Sequence, residues 1–398
     1  MKIALVLFNL AVEAGAPRFL LSFAQALKRQ GHDVVIFTAE YSPNCFPPLT
    51  KGLDIREIKG SKSLSSVVGA KDIFGKILNR VRWYGLVDEI SRDIVKAMDK
   101  DFDIVNCHTD FSYRVGSLYK KINPKAKFIW TMHDSPFDFN PKSNVLLNLL
   151  SRVSYFIEEI IERGSFKGAD LVAVLDERNA KISRGFGLKT EIIRGGVDFE
   201  AFYGPTHNMP AGSKKIRLVS VGSLGPYRGF EDTISATAAL RKRGYDASAL
   251  IVCEDFWSNG PYRKNFESFI ENSGAKEYID ARFKGVPENQ FKAVYRDSDV
   301  YVYATNIKIW GMAPFEAMTA GLPAIICDAS SDIEVLINRE NALFVPPHRP
   351  DKIADCVEDL ISSPDLYAKV ASGGQKFVRD NLTWEKYAAN FLKSVSNI

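Results

Sequence analysis

A chain of 398 residues is too long for one compact core, and about 100–200 residues per domain predicts two domains. Apolar residues at 46% with 25% charged residues describe an ordinary folded protein, and Lys+Arg 52 against Asp+Glu 48 leaves +4, too mild a bias to mark a nucleic-acid binder. The five cysteines (Cys45, Cys107, Cys253, Cys327, Cys356) form no CxxC pair and read as reduced thiols of a cytoplasmic protein; the five histidines (His32, His108, His133, His207, His348) show no metal-ligand spacing, which argues against zinc catalysis.

Lys2–Leu10 reads as a buried strand. Lys2, the apolar run from Ile3 to Phe8 and the small residues Ala14-Gly15-Ala16 have the outline of a short signal peptide, but Asn9 breaks the run and Glu13 follows it. No stretch approaches the roughly 18 apolar residues that span a membrane. Ala14–Arg18 is expected to be a small-residue turn, followed by a helix over Phe19–Gln30, with Phe19, Leu20, Phe23, Ala26 and Leu27 on one face. Gly31 ends it and Asp33–Thr38 returns as a second strand, completing a βαβ unit. Lys71–Ile90 carries Ile73, Phe74, Ile77, Leu78, Val81 and Tyr84 at helical spacing, with Lys71, Lys76, Arg80 and Arg82 mostly off that stripe. Such a helix packs its apolar face in a core or lies on anionic lipid, and Val145–Ile161 has the same ambiguity. Further strands are expected at Asp103–Cys107, Lys127–Met132, Leu171–Leu175 and Glu191–Ile193.

The pattern then restarts. Lys215–Val221 is an apolar strand, followed by the Gly222–Gly229 turn and a helix over Glu231–Arg243, with strands at Ser248–Cys253, Ala281–Phe283, Val300–Ala304 and Leu322–Cys327. Two successive βα series predict an α/β chain of two Rossmann-like doubly wound domains, joined where Gly204, Pro205, Asn208, Pro210 and Gly212 make a linker between Phe202 and Gly212. The expected partition is 1–205, 206–380 and a terminal segment 381–398. Ligands of open parallel sheets sit outside the strands' carboxyl ends, so two such domains facing one another are expected to share an interdomain cleft.

The most telling segment is Tyr301–Asp328, YVYATNIKIWGMAPFEAMTAGLPAIICD. Here a strand runs into a loop and then a short helix around Pro314–Thr319. Gly311, Met312 and Ala313 are expected to present backbone N–H groups to a diphosphate at that helix start. Glu316, in the first turn, either accepts two ribose hydroxyls or merely complements the helix dipole. In Val221–Gly229, VGSLGPYRG, Arg228 offers a bidentate fork suited to phosphate, or is a solvated surface charge. A diphosphate bound here would meet the positive potential of Arg228 and the helix start without a metal. No pair of carboxylates spaced for glycosidase chemistry stands out.

These segments resemble glycosyltransferase family four, the retaining GT-B group, in order and spacing over almost the whole chain. FEAMTAGLPAI is similar to its EAMACGxPVI element; Glu316 matches the second member of its Glu-x7-Glu pair, and the first falls on Lys308. VGSLGPYRG resembles VGRLxxxKG, with Gly222 kept, Ser223 at the Arg position and Arg228 at the Lys position. Ala14–Arg18 resembles the GGxER loop, which implies donor contact at Gly15 and acceptor contact at Arg18. Thr131-Met132-His133-Asp134 matches TxHD, which implies that His133 faces the transferring sugar and that Asp134 lies on the acceptor side. Ile193–Asp198 resembles IPNGVD with Gly195 replacing Asn, and Leu382–Glu385 resembles the helix that crosses back onto the first domain.

The resemblance implies a GT-B fold and a metal-independent, retaining hexosyltransferase with no cofactor. Its donor would be a UDP-, GDP- or ADP-sugar, and its acceptor a glycan, a lipid-linked group or a small molecule bound by the first domain. In that family the leaving phosphate is thought to take the acceptor proton. A role in polysaccharide biosynthesis, in the cytoplasm or peripherally on the inner membrane face, is the matching expectation. Lys308, Ser223 and Gly195 also fit a binding or regulatory protein with a degenerate donor site. A sugar-nucleotide epimerase of the same fold lacks the set of acidic and histidine groups it would need.

Overall fold

The computed structural model describes residues 1–59, 73–134, 145–210, 212–255 and 260–398, and only the backbone of residues 73–81, 145–151, 153–155 and 288. The chain divides into two compact units, Met1–Arg194 with Trp384–Ile398, and Gly195–Thr383. The division precedes the Gly/Pro-rich linker because that segment is tied to the second unit: Gln375 Nε2 donates to Gly204 O (2.8 Å), and His207 N–H to Gly321 O (3.2 Å).

The strands of the first unit are β1 (Lys2–Val6), β2 (Asn9–Leu10), β3 (Asp33–Thr38), β4 (Glu40–Tyr41), β5 (Asp54–Glu57), β6 (Ile104–His108), β7 (Lys127–Met132), β8 (Leu171–Val174) and β9 (Thr190–Ile192). Seven of them form one parallel sheet in the order β5-β3-β1-β6-β7-β8-β9, while β2 and β4 pair apart from it. Central strands such as Phe128–Met132 are buried on both faces, as a parallel sheet covered by helices requires. Val6, Phe37, Val105, Trp130 and Phe166 belong to this core.

The Gly15–Arg29 helix starts earlier than its periodicity suggests. It absorbs the turn expected over Ala14–Arg18, with Ala14 as N-cap and Arg18 N–H donating to Ala14 O (3.1 Å). Pro17 is tolerated in a first turn, where its missing N–H has no helical partner to lose, and Ala16 favours helix, so the helix runs back to the end of the preceding loop. The Trp384–Ser396 helix packs on it through edge-on rings, with centroid distances of 4.8 Å for Phe19–Trp384 and 5.0 Å for Phe23–Phe391.

The second unit contains β10 (Lys215–Ser223), β11 (Asp246–Glu254), β12 (Ile279–Arg282), β13 (Val300–Tyr303), β14 (Ala324–Cys327) and β15 (Leu343–Val345), all parallel, in the order β12-β11-β10-β13-β14-β15. Leu218, Ile251, Val302, Ile325 and Val357 lie in its core. In both sheets the first strand sits where the strand order reverses, beside β6 in one and β13 in the other. At these two switch points a doubly wound sheet opens a crevice at its carboxyl ends.

The basic amphipathic helix expected over 71–90 is helical from Ile73 to Ala97, but residues 71 and 72 and the side chains up to 81 lie outside the described residues. On the Val145–Phe166 helix, Phe156, Ile157, Ile160 and Ile161 are exposed, between 50% and 62%. Among the described residues no helix is long and apolar enough to cross a membrane.

Glu162, on the inner side of that helix, is fully buried against Arg114, whose Nε donates to Glu162 Oε2 (3.1 Å). Removing Glu162 leaves the largely buried Arg114 with the more exposed Asp88 carboxylate at 3.7 Å, so Glu162→Ala is expected to cost toward the low end of about 3–5 kcal/mol. Thermal denaturation should show Glu162→Ala with Arg114→Met as less damaging than Glu162→Ala alone.

Candidate functional site

In the second unit, β10 ends at Gly222-Ser223 and the chain turns through a 3-10 segment, Pro226–Arg228, to Gly229. Gly229 has φ +64°, and a Cβ there would collide with Ala304 O, so only glycine lets the turn press against the end of β13. That approach fixes Arg228 between the two strand ends. Its Nη1 donates to Tyr303 Oη (2.8 Å) and its Nη2 to Ser223 Oγ (3.3 Å), while the guanidinium lies 5.1 Å from the Tyr227 ring centre and 5.9 Å from that of Tyr303. Its Nε is buried without a hydrogen-bond partner among the described residues. Burial pushes the Tyr303 phenol up, opposed by Arg228 and aided by the Asp332 carboxylate. Tyr303 therefore stays protonated while accepting from Arg228.

The loop after β13 is anchored by Asp332, a fully buried carboxylate that sequence reasoning passes over. Its Oδ1 accepts from Gly311 N–H (2.9 Å) and its Oδ2 from Ser330 Oγ–H (2.9 Å). Gly311 is needed for closeness, since a Cβ would stand 2.7 Å from Tyr303 Oη. The Gly311 N–H is thus spent on Asp332, and of the expected diphosphate donors only Met312 and Ala313 remain at the start of the Ala313–Thr319 helix. The only sequence signal for Asp332 is its place just after a buried strand, in Ser330-Ser331-Asp332, where Ser330 caps a short 3-10 turn.

Glu316 is 4% exposed and its Oε2 accepts from the phenol of Tyr295 (3.1 Å), so this face of the carboxylate is turned into the fold rather than toward solvent. Lys308 is exposed on the loop after β13. Gly222, Ser223, Arg228 and Gly311 thus gather around Tyr303, with Met312 and Ala313 next in the chain and Glu316 one turn inward. Along the same sheet edge, Glu254, Asp255, Arg263, Phe283 and Lys284 line a concavity of about 480 Å³. Asp198, in the segment where Gly195 stands, caps the Phe199–Phe202 helix by accepting from Ala201 N–H (3.2 Å).

In the first unit, His133 follows β7 and its Nε2 lies 3.2 Å from Nδ1 of His108, the last residue of β6. Burial holds both rings below the ordinary imidazole range, His133 at about 4. Past His108, Thr109 and Phe111 adopt left-handed backbone (φ +66° and +62°), uncommon for residues with a Cβ. The turn is held by Trp130 Nε1, which donates to Thr109 O (3.0 Å), and by Ser112 Oγ–H, which donates to His108 O (2.6 Å). Burial, with the nearby Asp134, raises the Asp110 carboxyl to about 7. Of the sequence-predicted residues, Asp134 is exposed next to His133; Gly15 is exposed and Arg18 half-buried in the first turn of the Gly15–Arg29 helix. His108 and Asp110 are missed by motif reading; both follow from the strand β6 ending at a switch point.

Comparison with known proteins places these two edges in context. The family described as Glycosyltransferase Family 4 matches residues 14–201, and that described as Glycosyl transferases group 1 matches residues 208–377. An uncharacterized glycosyltransferase of Methanocaldococcus jannaschii is 25% identical over 309 residues, 74% of each chain. A GDP-mannose-dependent alpha-(1-6)-phosphatidylinositol monomannoside mannosyltransferase of Mycobacterium tuberculosis is 22% identical over 238 residues, 56% of this chain and 60% of that one. The solved structure of Anabaena HepE in complex with UDP and glucose aligns over 100% of both chains with a TM-score of 0.74 at 15% identity, which supports a shared fold.

The raised Asp110 carboxyl has a stability consequence with a definite sign. Folded, the group keeps until about pH 7 a proton that the unfolded chain releases near 3.8, so it lowers stability progressively as pH rises between those values. His133 acts oppositely, its contribution being lost as pH falls from 6.5 toward about 4. Asp110→Asn should therefore raise the melting temperature over the parent at pH 8 and leave it unchanged near pH 4, as read by scanning calorimetry.

Proposed function

The chain belongs to the family 4 glycosyltransferases of GT-B fold, and from that membership we propose that it moves a hexosyl group from a nucleoside-diphosphate sugar to an acceptor hydroxyl with retention and without a metal. The observation that carries the reading is Arg228: a permanently charged fork at the switch point of the second sheet, with a buried Nε that has no acceptor among the described residues. A diphosphate placed there meets the guanidinium and the N–H groups of Met312 and Ala313. Charge growing on the leaving phosphate is then stabilised by groups already in position. The concavity along the same edge has room for the nucleoside. Glu316, Gly222, Ser223 and Lys308 complete the donor side, while Gly15, Arg18, His133 and Asp134 serve the sugar and acceptor.

In retention, the bond from the anomeric carbon to the phosphate oxygen breaks and the acceptor oxygen joins on the same face, its proton passing to the departing phosphate. A lipid-linked or envelope glycan acceptor fits the exposed Phe156, Ile157, Ile160 and Ile161, and the phosphatidylinositol-directed relative lends it support. Vesicle co-sedimentation with anionic lipid, lost in Ile160→Glu, tests that part.

A second reading, binding without transfer, is favoured by Ser223, whose hydroxyl is within 3.0 Å of Tyr227 Oη and 3.3 Å of Arg228 Nη2 and so is occupied inside the fold. Calorimetric titration with UDP, GDP, ADP and their sugars, followed by product NMR of the anomeric linkage with and without chelator, separates the two. Arg228→Ala should weaken the best nucleotide about tenfold or more, the loss of a charged hydrogen bond, and Glu316→Gln should weaken it less. Equal binding by both variants and the parent would remove the site assignment.

A further inference from the structure

The two imidazoles at the carboxyl ends of β6 and β7 are joined by one short contact, His108 Nδ1 to His133 Nε2 at 3.2 Å. A contact of that length between ring nitrogens is a single hydrogen bond, and it holds a single proton. Burial disfavours charge on either ring, so at neutral pH each is neutral and carries one N–H.

Two arrangements meet these conditions. In one, His108 donates from Nδ1 and keeps a lone pair on Nε2; His133 then carries its own proton on Nδ1. In the other, His133 donates from Nε2, and the proton of His108 must sit on its own Nε2. That atom is buried with no hydrogen-bond partner among the described residues, and the rings of Phe19 and Phe23 lie 6.1 and 6.2 Å from the His108 ring, centre to centre. An orphaned buried N–H is the less tolerated way to leave a nitrogen unmatched. The ring of His133 is further held edge-on to Phe19, at 4.6 Å and 89°, and its backbone carbonyl accepts from Asn179 Nδ2 (3.3 Å). His133 is half-buried while His108 is fully buried, so Nδ1 of His133 is the polar ring atom of the pair left to meet a ligand.

We propose that His108 is a positioning residue: by donating from Nδ1 it fixes His133 as the Nδ1–H tautomer and makes that N–H the donor offered to a sugar hydroxyl. The consequence for transfer rests on the glycosyltransferase reading, whereas the tautomer does not. His133 enters the reaction as a neutral donor, not as a base, because the only lone pair on its ring is already filled by His108.

NMR of the full chain labelled with 15N-histidine reads each ring's protonated nitrogen at pH 7.5. The expected pattern is Nδ1–H on both His108 and His133; Nε2–H on His133 overturns the proposal. Substitution gives a second, independent readout. His108→Asn keeps an amide N–H close to where Nδ1–H stood, whereas His108→Gln, equally polar, moves its donor one bond further out. The Asn variant should retain kcat within about threefold. Gln and His108→Leu should each lose about tenfold or more in kcat at unchanged donor KM, the worth of one hydrogen bond. Equal loss in Asn and Gln would mean that His108 only fills space. If the parent transfers no sugar at all, the glycosyltransferase reading fails while the tautomer pattern still decides this inference.

Discussion

A guanidinium cannot be deprotonated at any ordinary pH, so Arg228, once pressed between the ends of β10 and β13, has to be accommodated as a cation. The surrounding residues follow from that constraint. Gly229 has no side chain because the turn must reach Ala304, and Gly311 has none because the next loop must reach Tyr303. Ser223 and Tyr303 accept from the fork, and two tyrosine rings flank its face. Asp332 holds the loop after β13 by accepting from the Gly311 N–H. Both of these acceptors on the fork, Ser223 and Tyr303, are neutral hydroxyls, which hold the guanidinium in place without cancelling its charge.

The first unit solves the corresponding problem without a fixed cation. At its switch point are two neutral imidazoles and a carboxyl that burial keeps protonated to about pH 7. Neutral donors suit hydroxyls, which are neutral themselves, as a buried cation suits phosphate. The left-handed Thr109 and Phe111 are the backbone cost of turning sharply there, and Trp130 and Ser112 hold them in place. One sheet order, repeated twice, thus frames two electrostatic environments that differ because of a handful of residues beyond the strand ends.

Much of this was legible in the residues. Buried parallel strands are apolar on both faces, so Asp33–Thr38 and Lys127–Met132 stand out as runs with the bounds they have in the fold. Edge strands lack that signature: β5 is Asp-Ile-Arg-Glu, half in solvent, and β15 has three residues, and neither is readable from periodicity. Arg228 and its glycine were legible because a turn this constrained shows in sequence. Tyr303 and Asp332 were not, since each acts through a partner in the loop beyond another strand, a neighbour that only the sheet order supplies. Glu316 illustrates the limit of motif reasoning. Its place in the first helical turn was correct, but rotation about that short helix aims its Oε2 at Tyr295, and seven residues carry too little periodicity to reveal the angle.

Ser223 bears on what the donor side can do. In the related motif a second cation stands at this position; here a hydroxyl does, and its neighbours are Tyr227 Oη and the Arg228 fork. A serine that accepts from the arginine while meeting a phenol is a brace for that arginine, not a substitute for a lost charge. In the proposed transfer the full positive charge at the leaving phosphate is then that of Arg228, beside the N–H groups of Met312 and Ala313, unless the exposed Lys308 turns toward it. An exposed lysine gives up its present contacts and side-chain entropy to do so, and its charge is screened by water until a bound ligand excludes that water. Any help from Lys308 would thus arrive with the nucleotide and weaken with salt, whereas the contribution of the buried, pre-positioned Arg228 would change little. The salt dependence of nucleotide affinity distinguishes one fixed cation from a fixed and a mobile one.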